Sequence, residues 1–369
     1  MESLKIKFVG DISLNGAYNE TLFHDGAYYL LKKIRNELQG ADLVIGNLES
    51  PLLPREIPPA FKMKTPLRGD PAYAEALKWA GFDILNLSNN HILDYGEIGV
   101  ASTVKALEQE RIMYFGYGQN IADAERMLVV TVRGTKVGFI GYTDLVIDSP
   151  FYATGTTRGI AKLEIDRVCS HVENCKKQVD ILVVSLHWGI EYFQLPRPVQ
   201  REQARRLIDS GATLIIGHHP HTLQGIERYK HGLIAYSLGN FIFSDIRWDW
   251  FNENGERRTT YYKFSGRLRQ GVILSVNFTE EGICGYGAQP TCISSSGEVL
   301  PGSQKIVRRL EYLSKQLNQH PYEGHFERQL RRFERRKLIE GILKRARRLH
   351  KLRPKHLKEL MQLICRRTR

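Results

Sequence analysis

The stretch IIGHHPH at residues 215–221 is the most informative part of this 369-residue chain, because three imidazoles directly follow an apolar β-branched run. The run predicts a buried strand, and the glycine and proline around the histidines predict a loop at its carboxyl end. Neutral imidazole is the commonest metal ligand in proteins. We therefore expect His219 and His221 to turn toward one ion.

Short apolar runs that end in a polar residue or glycine recur along the chain and predict buried strands. They begin at Ile6, Leu43, Ile84, Val137, Ile181, Thr213, Leu233 and Gly271. Helical segments are predicted between several of them, at about 71–80, 96–110, 164–178 and 198–210. This alternation of strands and helices predicts an α/β domain of three or four layers.

Two long stretches lack a regular pattern and are expected to be loops. Residues 51–70 carry five prolines, and residues 245–270 carry several aromatic residues and arginines. Loops of this length in a compact domain are usually functional or disordered. In the first of them, Lys62 and Lys64 are candidate contacts for an anionic group of a substrate, the alternative being a solvated loop.

Charge is distributed unevenly, although the whole chain has a formal net charge of +13. Residues 305–369 carry 21 Lys or Arg and 6 Asp or Glu, whereas residues 1–304 carry 32 basic and 34 acidic side chains. The body is therefore nearly neutral. This asymmetry predicts one domain over residues 1–302 and a basic helical extension over residues 303–369 with a separate role.

The basic extension contains apolar residues at near-helical spacing over 328–352, and a second short amphipathic stretch follows Pro354. Basic amphipathic helices are typical of elements that lie on an anionic membrane, where each basic residue adds about 1 kcal/mol. Residues 328–369 are therefore a candidate membrane contact. The alternative is a helix docked on the body with its basic face in solvent. A nucleic-acid contact is disfavoured, because aromatic residues are sparse there.

The five cysteines show no paired spacing, which indicates a reducing compartment. We find no apolar signal region before the first predicted strand and no apolar run long enough to cross a bilayer. The expected location is therefore cytoplasmic, with peripheral attachment to the inner face of the membrane if the basic extension binds lipid.

Polar residues with metal-binding or acid–base chemistry follow five of the predicted strands. Ligands of open α/β sheets bind beyond the carboxyl ends of the strands, so these side chains should meet at one edge. Carboxylate, amide and imidazole groups without thiolate suit divalent Mn, Zn or Fe, and their number is sufficient for two ions. The candidates are Asp11, Asn47, Glu49, Asn90, His91, Asp94, His187, Glu191, His219 and His221.

Two neighbouring ions would clamp a phosphoryl centre and lower the pKa of a bridging water. In such a site Asn90 can offer its amide oxygen to a metal, while His91 protonates a leaving alkoxide and Asp94 orients the His91 ring. The alternative role of Asp94 is to cap the helix that follows. Glu191 and Tyr192 are candidates for binding the substrate, with packing or surface roles as their alternative.

These residues give the chain a resemblance to the capsule synthesis CapA (poly-γ-glutamate synthesis PgsA) family, a branch of the calcineurin-like metallophosphoesterases. The matching segments are GD at 10–11, GNLE at 46–49, NLSNNHILDYG at 86–96, GYGQNIADA at 116–124, HWGIEY at 187–192, IIGHHPHTLQ at 215–224 and YSLGNFIFSD at 236–245. The resemblance implies a four-layer α/β/β/α sandwich of metallophosphoesterase type with a dinuclear metal centre.

Carried over by motif, the resemblance also implies roles for single residues. His91 falls on the acid position, and Glu49 lies where the wider fold places a bridging carboxylate. The chain departs from the pattern at Ser13, where the wider fold has the histidine of Asp-x-His, and at Asn47, where it has an aspartate. By the same comparison His218 is an extra imidazole at a variable position and is expected to face solvent. The residues on metal-ligand positions are Asp11, Asn90, His187, His219 and His221.

Two functions from different classes follow from these observations. The first is a metal-dependent hydrolase of phosphoesterase type in the biosynthesis of a capsule or other anionic cell-surface polymer, with a phosphorylated substrate or the polymer itself as partner. The altered Ser13 and Asn47 favour instead a non-hydrolytic accessory or scaffold component of a membrane-associated synthesis or export complex. A transferase or amide-forming enzyme ranks last, since no Ser or Cys lies in a recognisable nucleophile motif.

Overall fold

The computed structural model describes residues 3–14, 27–54, 57–60, 66–145, 151–243, 245–251 and 257–346. The chain divides into two compact units, Met1–Asn318 and Gln319–Arg369. Lys62, Lys64 and the predicted stretch after Pro354 lie outside the described residues.

The described strands are β1 (Leu4–Ser13), β2 (Leu43–Leu48), β3 (Ile84–Asn86), β4 (Met113–Phe115), β5 (Leu128–Val132), β6 (Thr135–Asp144), β7 (Ile181–Trp188), β8 (Leu214–His218), β9 (Ile226–Tyr229), β10 (Gly232–Ala235), β11 (Asn240–Phe243), β12 (Ile246–Phe251), β13 (Arg257–Tyr262), β14 (Gln270–Thr279), β15 (Gly282–Ile293) and β16 (Val299–Pro301). The helices of the first unit are α1 (Arg35–Leu38), α2 (Tyr73–Ala80), α3 (Gly96–Gln109), α4 (Ile121–Ala124), α5 (Ile165–Lys176), α6 (Pro198–Asp209) and α7 (Gln304–Gln316), with 3-10 turns at Ala27–Leu30 and Gly266–Arg269. The helix of the second unit is α8 (Tyr322–Ala346).

Two large sheets make up the centre of the first unit. One has the strand order β16-β15-β14-β1-β2-β3-β4, with β11 also paired to β1, and the other has the order β5-β6-β7-β8-β10-β9. The strands β1 to β4 are parallel, as are β6, β7, β8 and β10. The carboxyl ends of the strands that carry the predicted ligands therefore lie at one edge of each sheet.

The sheets pack face to face through a common apolar core, to which Phe8 contributes from the first sheet and Val183 and Ile216 from the second. The outer face of the first sheet is covered by α2 and α3, whose Leu77 and Val100 join a second core cluster. Helices α5 and α6 pack against β7 and β8 on the other side. The four-layer α/β/β/α sandwich predicted for this chain is therefore confirmed.

The described residues within 245–270 form two strands and a 3-10 turn, so the prediction of an irregular loop there is wrong. The strands β12 and β13 pair antiparallel, from Ile246 opposite Tyr262 to Phe251 opposite Arg257. The sequence IRWDWF alternates large apolar and polar residues with the period of a strand, so the local pattern carries the signal. This hairpin places Tyr262 beside the site described below.

Helix α7 belongs to the first unit, although its sequence lies in the basic segment. Ile306, Leu310 and Leu313 repeat at helical spacing on one face, are buried, and join the core between the sheets. The first compact unit therefore extends to Asn318, past the predicted boundary at residue 302.

Helix α8 of the second unit carries eight Lys or Arg and four Glu side chains. Tyr322, His325 and Phe326 in its first turns are buried, whereas Ile339 and Leu343 are exposed. Among the helices of the described residues, we find none with the length and apolar content needed to cross a membrane.

Candidate metal centre

The predicted ligands meet at the edge where five strands end. Asp11 lies near the end of β1, Glu49 directly follows β2, and His187 lies near the end of β7. Asn90 follows β3, and His219 and His221 follow β8. All except the half-buried Asn90 are buried.

These side chains form two groups that share one carboxylate. In site A, ligand atoms of Glu49, His187 and His219 all lie within 4.8 Å of one another. In site B, the same holds for Asp11, Glu49 and His221. His219 and His221 therefore belong to different groups, and the prediction that both turn toward one ion is wrong. Such clusters of buried imidazole and carboxylate groups suit divalent Mn, Zn or Fe.

Glu49 lies between the two sites. Its Oε1 atom is 3.5 Å from His187 Nε2 and 3.6 Å from His221 Nε2. Burial raises the pKa of Glu49 well above its ordinary value, against the opposing effect of His221. Within the described part of the chain, neither carboxylate oxygen has a hydrogen-bond partner. A buried carboxylate without donors is costly, so this side chain has the character of a metal ligand.

Asp11 is held by several donors. The Asn47 amide donates to Oδ1 at 2.9 Å, and the His219 backbone N–H donates to Oδ2 at 3.2 Å. Burial alone would raise the pKa of Asp11, but the close approach of His218 and His221 holds it well below its ordinary value. The carboxylate form that a metal requires is therefore favoured at this position.

Burial favours the neutral form of the two imidazoles of site A. Burial, together with the neighbouring His219, lowers the pKa of His187 well below its ordinary value. Burial and His221 lower the pKa of His219 to about 3. His187 Nε2 also lies 2.8 Å from the amide oxygen of Asn90, which places Asn90 beside site A. Neutral imidazole is the form that binds metal.

His221 in site B differs from these imidazoles. Burial lowers its pKa, but the carboxylates of Glu49 and Asp11 outweigh burial and raise the pKa to about 10. Its Nδ1 atom lies 3.0 Å from Asn240 Oδ1. The SLGN motif at 237–240, directly after an apolar run, predicts a tight turn near the site with a structural role, and the structure adds that Asn240 contacts His221.

Backbone geometry at this edge is unusual and requires specific residues. His219 and His221 have φ values of 93° and 52°, in the region that non-glycine residues rarely adopt. A Cβ at Gly217 would lie 2.0 Å from the Tyr236 carbonyl oxygen, and one at Gly10 would lie 1.8 Å from the Gly239 carbonyl oxygen. Strain of this kind concentrates at functional sites.

His91 and Asp94 form a pair at the rim of the site. His91 Nδ1 lies 2.8 Å from Asp94 Oδ2, and the His91 side chain is 16% exposed. The buried Asp94 also accepts from the Leu67 backbone N–H at 2.7 Å. The Asp94 Oδ1 atom has no hydrogen-bond partner among the described residues, so in that part of the chain we find no capping bond from Asp94 to the start of helix α3. Burial raises the pKa of Asp94, while His91 opposes that effect.

His218 does not face solvent, and that prediction is wrong. Leu214, Ile216 and His218 alternate along β8 onto its inner face, between the two sheets. Only 3% of His218 is exposed, and its Nδ1 lies 3.2 Å from Asp11 Oδ1. As the last residue of β8, His218 still follows the alternation of the strand, and its place in a cluster of histidines hid this from the sequence analysis.

The two departures from the family pattern have different surroundings. Asn47 belongs to an amide network: it donates to Asp11 and its Oδ1 accepts from Asn86 Nδ2 at 2.9 Å. Ser13 is fully buried, and its hydroxyl has no hydrogen-bond partner among the residues described. Asn47 therefore supports a ligand rather than adding a charge.

Of the predicted substrate contacts, Glu191 and Tyr192 lie beside the site. Glu191 is exposed and contributes to the raised pKa of His221. The Tyr192 ring lies 6.0 Å from the His221 ring and stacks on Tyr262 at 6.2 Å. The Tyr192 backbone N–H donates to the Pro220 carbonyl at 2.7 Å, which ties this loop to the histidine loop. Tyr262, on the hairpin, is a neighbour that sequence reasoning missed.

Comparisons with known proteins give concordant matches. The model of the family described as "Bacterial capsule synthesis protein PGA_cap" matches residues 5–245. "Capsule biosynthesis protein CapA" of Bacillus anthracis is 35% identical over 248 residues, 66% of this chain and 60% of that protein. "PGA biosynthesis protein CapA" of Bacillus subtilis (strain 168) is 33% identical over 241 residues, 65% of this chain and 63% of that protein.

The match thus spans about three fifths of the length of these relatives. Among solved structures, the NAD nucleotidase NadN of Haemophilus influenzae aligns with a TM-score of 0.42 and 14% identity, covering 91% of this chain and 60% of that chain. Since the family model covers well over half of the sequence and takes in every residue of sites A and B, the chain belongs to the bacterial capsule synthesis protein PGA_cap family.

Proposed function

We propose that the protein is a metal-dependent hydrolase that cleaves a phosphoester during biosynthesis of a capsule or another anionic cell-surface polymer. The observation that carries this proposal is Glu49, a buried carboxylate that is shared by two ligand groups and has no hydrogen-bond donor among the residues the structure describes. The residues fit two divalent ions, because sites A and B together offer two carboxylates and three imidazoles. Bound there, such ions would polarise a phosphoryl group and lower the pKa of a coordinated water.

The residues around the ligands have distinct roles in this proposal. Asn90 adds an amide oxygen to site A, and Asn47 and Asn240 orient Asp11 and His221. His91 provides the proton for the leaving alkoxide. Since Asp94 engages Nδ1 of His91, the Nε2 atom is the one available for proton transfer. The rim residues Glu191 and Tyr192, with Lys62 and Lys64, bind the remainder of the substrate.

The leaving-group dependence of the reaction tests the role of His91. The Mn²⁺-loaded protein should hydrolyse both bis(p-nitrophenyl) phosphate and a diester with an alkyl leaving group. His91→Ala should lower the rate with the alkyl ester by about 10²–10⁴, because a poor leaving group needs the proton. The same change should affect the p-nitrophenyl ester much less.

His231→Ala is the matched control, since His231 is exposed and lies outside sites A and B. An equal effect of His91→Ala on both esters would remove the general-acid role. Absence of any turnover with Mn²⁺, Zn²⁺ or Fe²⁺ would refute the hydrolase.

A non-hydrolytic accessory or scaffold component of a membrane-associated polymer synthesis or export complex is the second candidate. Asn47 and Ser13 support it, because the first replaces a charge with an amide and the second offers no imidazole. In this case the metal centre would stabilise the fold. Metal binding that raises the melting temperature, combined with no phosphoesterase turnover, would favour this candidate over the hydrolase.

We further propose that the basic helix α8 contacts an anionic membrane surface from the cytoplasmic side. Ile339 and Leu343, one turn apart, are 45% and 53% exposed among exposed arginines. Exposed aliphatic residues beside basic residues favour an anionic lipid surface.

The membrane proposal is tested by sedimentation of the full chain with vesicles. We expect sedimentation with phosphatidylglycerol vesicles, not with phosphatidylcholine vesicles, and loss of binding in Ile339→Ser/Leu343→Ser. Ile98→Ser is the control, since Ile98 is 62% exposed on the first unit. Equal sedimentation of both variants would remove the lipid role, and displacement from vesicles by RNA would favour the nucleic-acid alternative.

A further inference from the structure

His218 is a buried imidazole that neither site A nor site B includes. Its side chain lies between the two sheets, among residues of β1, β2, β6 and β7 that line a cavity together with it. With Ser185 and Asn86 it lines a small enclosed cavity of about 10 Å³. A buried polar ring in this position requires a partner, because an unpaired buried donor is costly.

Asp11 is the neighbouring group that can accept a hydrogen bond from His218. His218 Nδ1 lies 3.2 Å from Asp11 Oδ1. Among the residues that the structure describes, no group is aligned to hydrogen-bond with that nitrogen. Hydrogen bonds at a site without its ligand are often poorly aligned and tighten when the ligand binds, so the 3.2 Å distance makes Asp11 Oδ1 the acceptor within reach of His218 Nδ1.

Asp11 needs support on both oxygens if it is to present a fixed lone pair to an ion. Oδ2 receives the His219 backbone N–H, and Oδ1 receives the Asn47 amide. His218 approaches Oδ1 as well, from the interior. Hydrogen bonds to ligating carboxylates orient them, and losing one typically costs 10–100-fold in metal affinity.

We infer that His218 is a positioning residue of site B: it donates from Nδ1 to Asp11 and fixes that carboxylate toward the ion. In this chain the position of the missing Asp-x-His imidazole is Ser13, which has no partner of its own among the described residues. His218 thus compensates for the missing imidazole by orienting Asp11, the ligand that β1 provides. The inference rests on the proposed metal centre and adds a residue to it.

Isosteric substitutions separate this role from simple packing. The amide nitrogen of Asn occupies nearly the place of imidazole Nδ1, whereas the amide of Gln reaches the place of Nε2. His218→Asn should therefore keep Mn²⁺ affinity within about threefold of wild type. His218→Gln and His218→Ala should weaken binding of one of the two ions by about 10–100-fold.

Mn²⁺ titration of the full chain by calorimetry is the measurement, with melting temperatures of the metal-free variants beside it. Ser185→Ala is the control, since Ser185 lines the same cavity and its hydroxyl is also unpartnered among the residues described. It should leave both Mn²⁺ affinities unchanged.

The outcomes distinguish this inference from the proposed function. Wild type that binds two Mn²⁺ ions while His218→Ala binds them equally well would overturn the positioning role and leave the hydrolase intact. Equal losses in the Asn, Gln and Ala variants would assign His218 to packing alone, again against the inference. Wild type that binds no Mn²⁺ would overturn both the metal centre and the role of His218.

Discussion

Sites A and B share Glu49 yet are built differently. Site A adds two buried imidazoles, His187 and His219, whose pKa values are lowered by burial. Site B adds the carboxylate of Asp11 and one imidazole, His221, whose pKa is raised to about 10 by the two carboxylates. The difference shows that one cluster can offer an imidazole-rich half and a carboxylate-rich half, which favour metals of different hardness.

The largest effect is expected from changing the shared ligand. Glu49→Gln keeps the size of the side chain but removes the charge that both sites use. Both Mn²⁺ affinities should fall by more than about 100-fold, since changes outside the ligand shell alone cost 10–100-fold. Metal content after dialysis and calorimetric titration measure this effect. Retention of one ion at wild-type affinity would show that Glu49 serves a single site.

Single-site variants should separate the two halves. His219→Ala removes a ligand of site A alone, and Asp11→Asn removes the charge of a ligand of site B alone. Wild type should bind two Mn²⁺ ions per chain and each variant one, as measured by elemental analysis of the purified protein. Loss of both ions in either variant would contradict two separable halves.

The two variants should also differ in the pH dependence of their metal affinity. Site A in Asp11→Asn contains neutral imidazoles, whereas site B in His219→Ala must lose the proton of His221 before an ion binds. The shared Glu49 affects both variants alike. The relevant pH range runs from 6.5, the ordinary pKa of histidine, to about 10, the raised pKa of His221. In this range the metal affinity of site B should increase with each pH unit by about tenfold more than the metal affinity of site A.

The stability of the metal-free protein also tests the difference between sites A and B, because the pKa shifts of His219 and His221 have opposite signs. The lowered pKa of His219 means that the unfolded chain takes up a proton that the folded chain does not, so stability falls as pH drops from 6.5 toward 3. The raised pKa of His221 stabilises the fold below 6.5, and this contribution is lost as pH rises through about 10. Identical pH profiles of denaturant unfolding in His219→Gln and His221→Gln would contradict this assignment.

The smallest effect is expected from changing Asn240, which supports His221 in site B. Asn240→Ala removes the acceptor 3.0 Å from His221 Nδ1. Affinity at site B should fall about tenfold, and affinity at site A should stay within about twofold. Asn120→Ala is the control, because Asn120 caps the remote helix α4. An equal loss at both sites would show that Asn240 acts on the fold rather than on His221.

Much of this arrangement is visible in the sequence, because parallel strands bring their carboxyl ends together wherever they fold. The strand runs ending near Asp11, Glu49, Asn90, His187 and His219 therefore indicate one edge without any structure. The pairing of His91 with Asp94 also follows from their spacing. The periodicity of the strands in the sequence therefore identifies the sheet edge at which the candidate ligands meet.

The other contacts of the site depend on which side of a strand a residue faces and on pairing between residues that are distant in the sequence. Whether His218 faces inward depends on where β8 ends, and a shift of one residue would reverse it. The support of His221 by Asn240 joins residues from different strands, and the approach of Tyr262 depends on a hairpin. These contacts are set by tertiary packing, which local pattern does not encode.

The most direct test of the shared carboxylate is an anomalous-scattering map of crystals grown with Mn²⁺. Two manganese peaks are predicted, one among Glu49, His187 and His219 and the other among Asp11, Glu49 and His221, with Glu49 contacting both. A single peak, or two peaks of which only one contacts Glu49, would contradict the account.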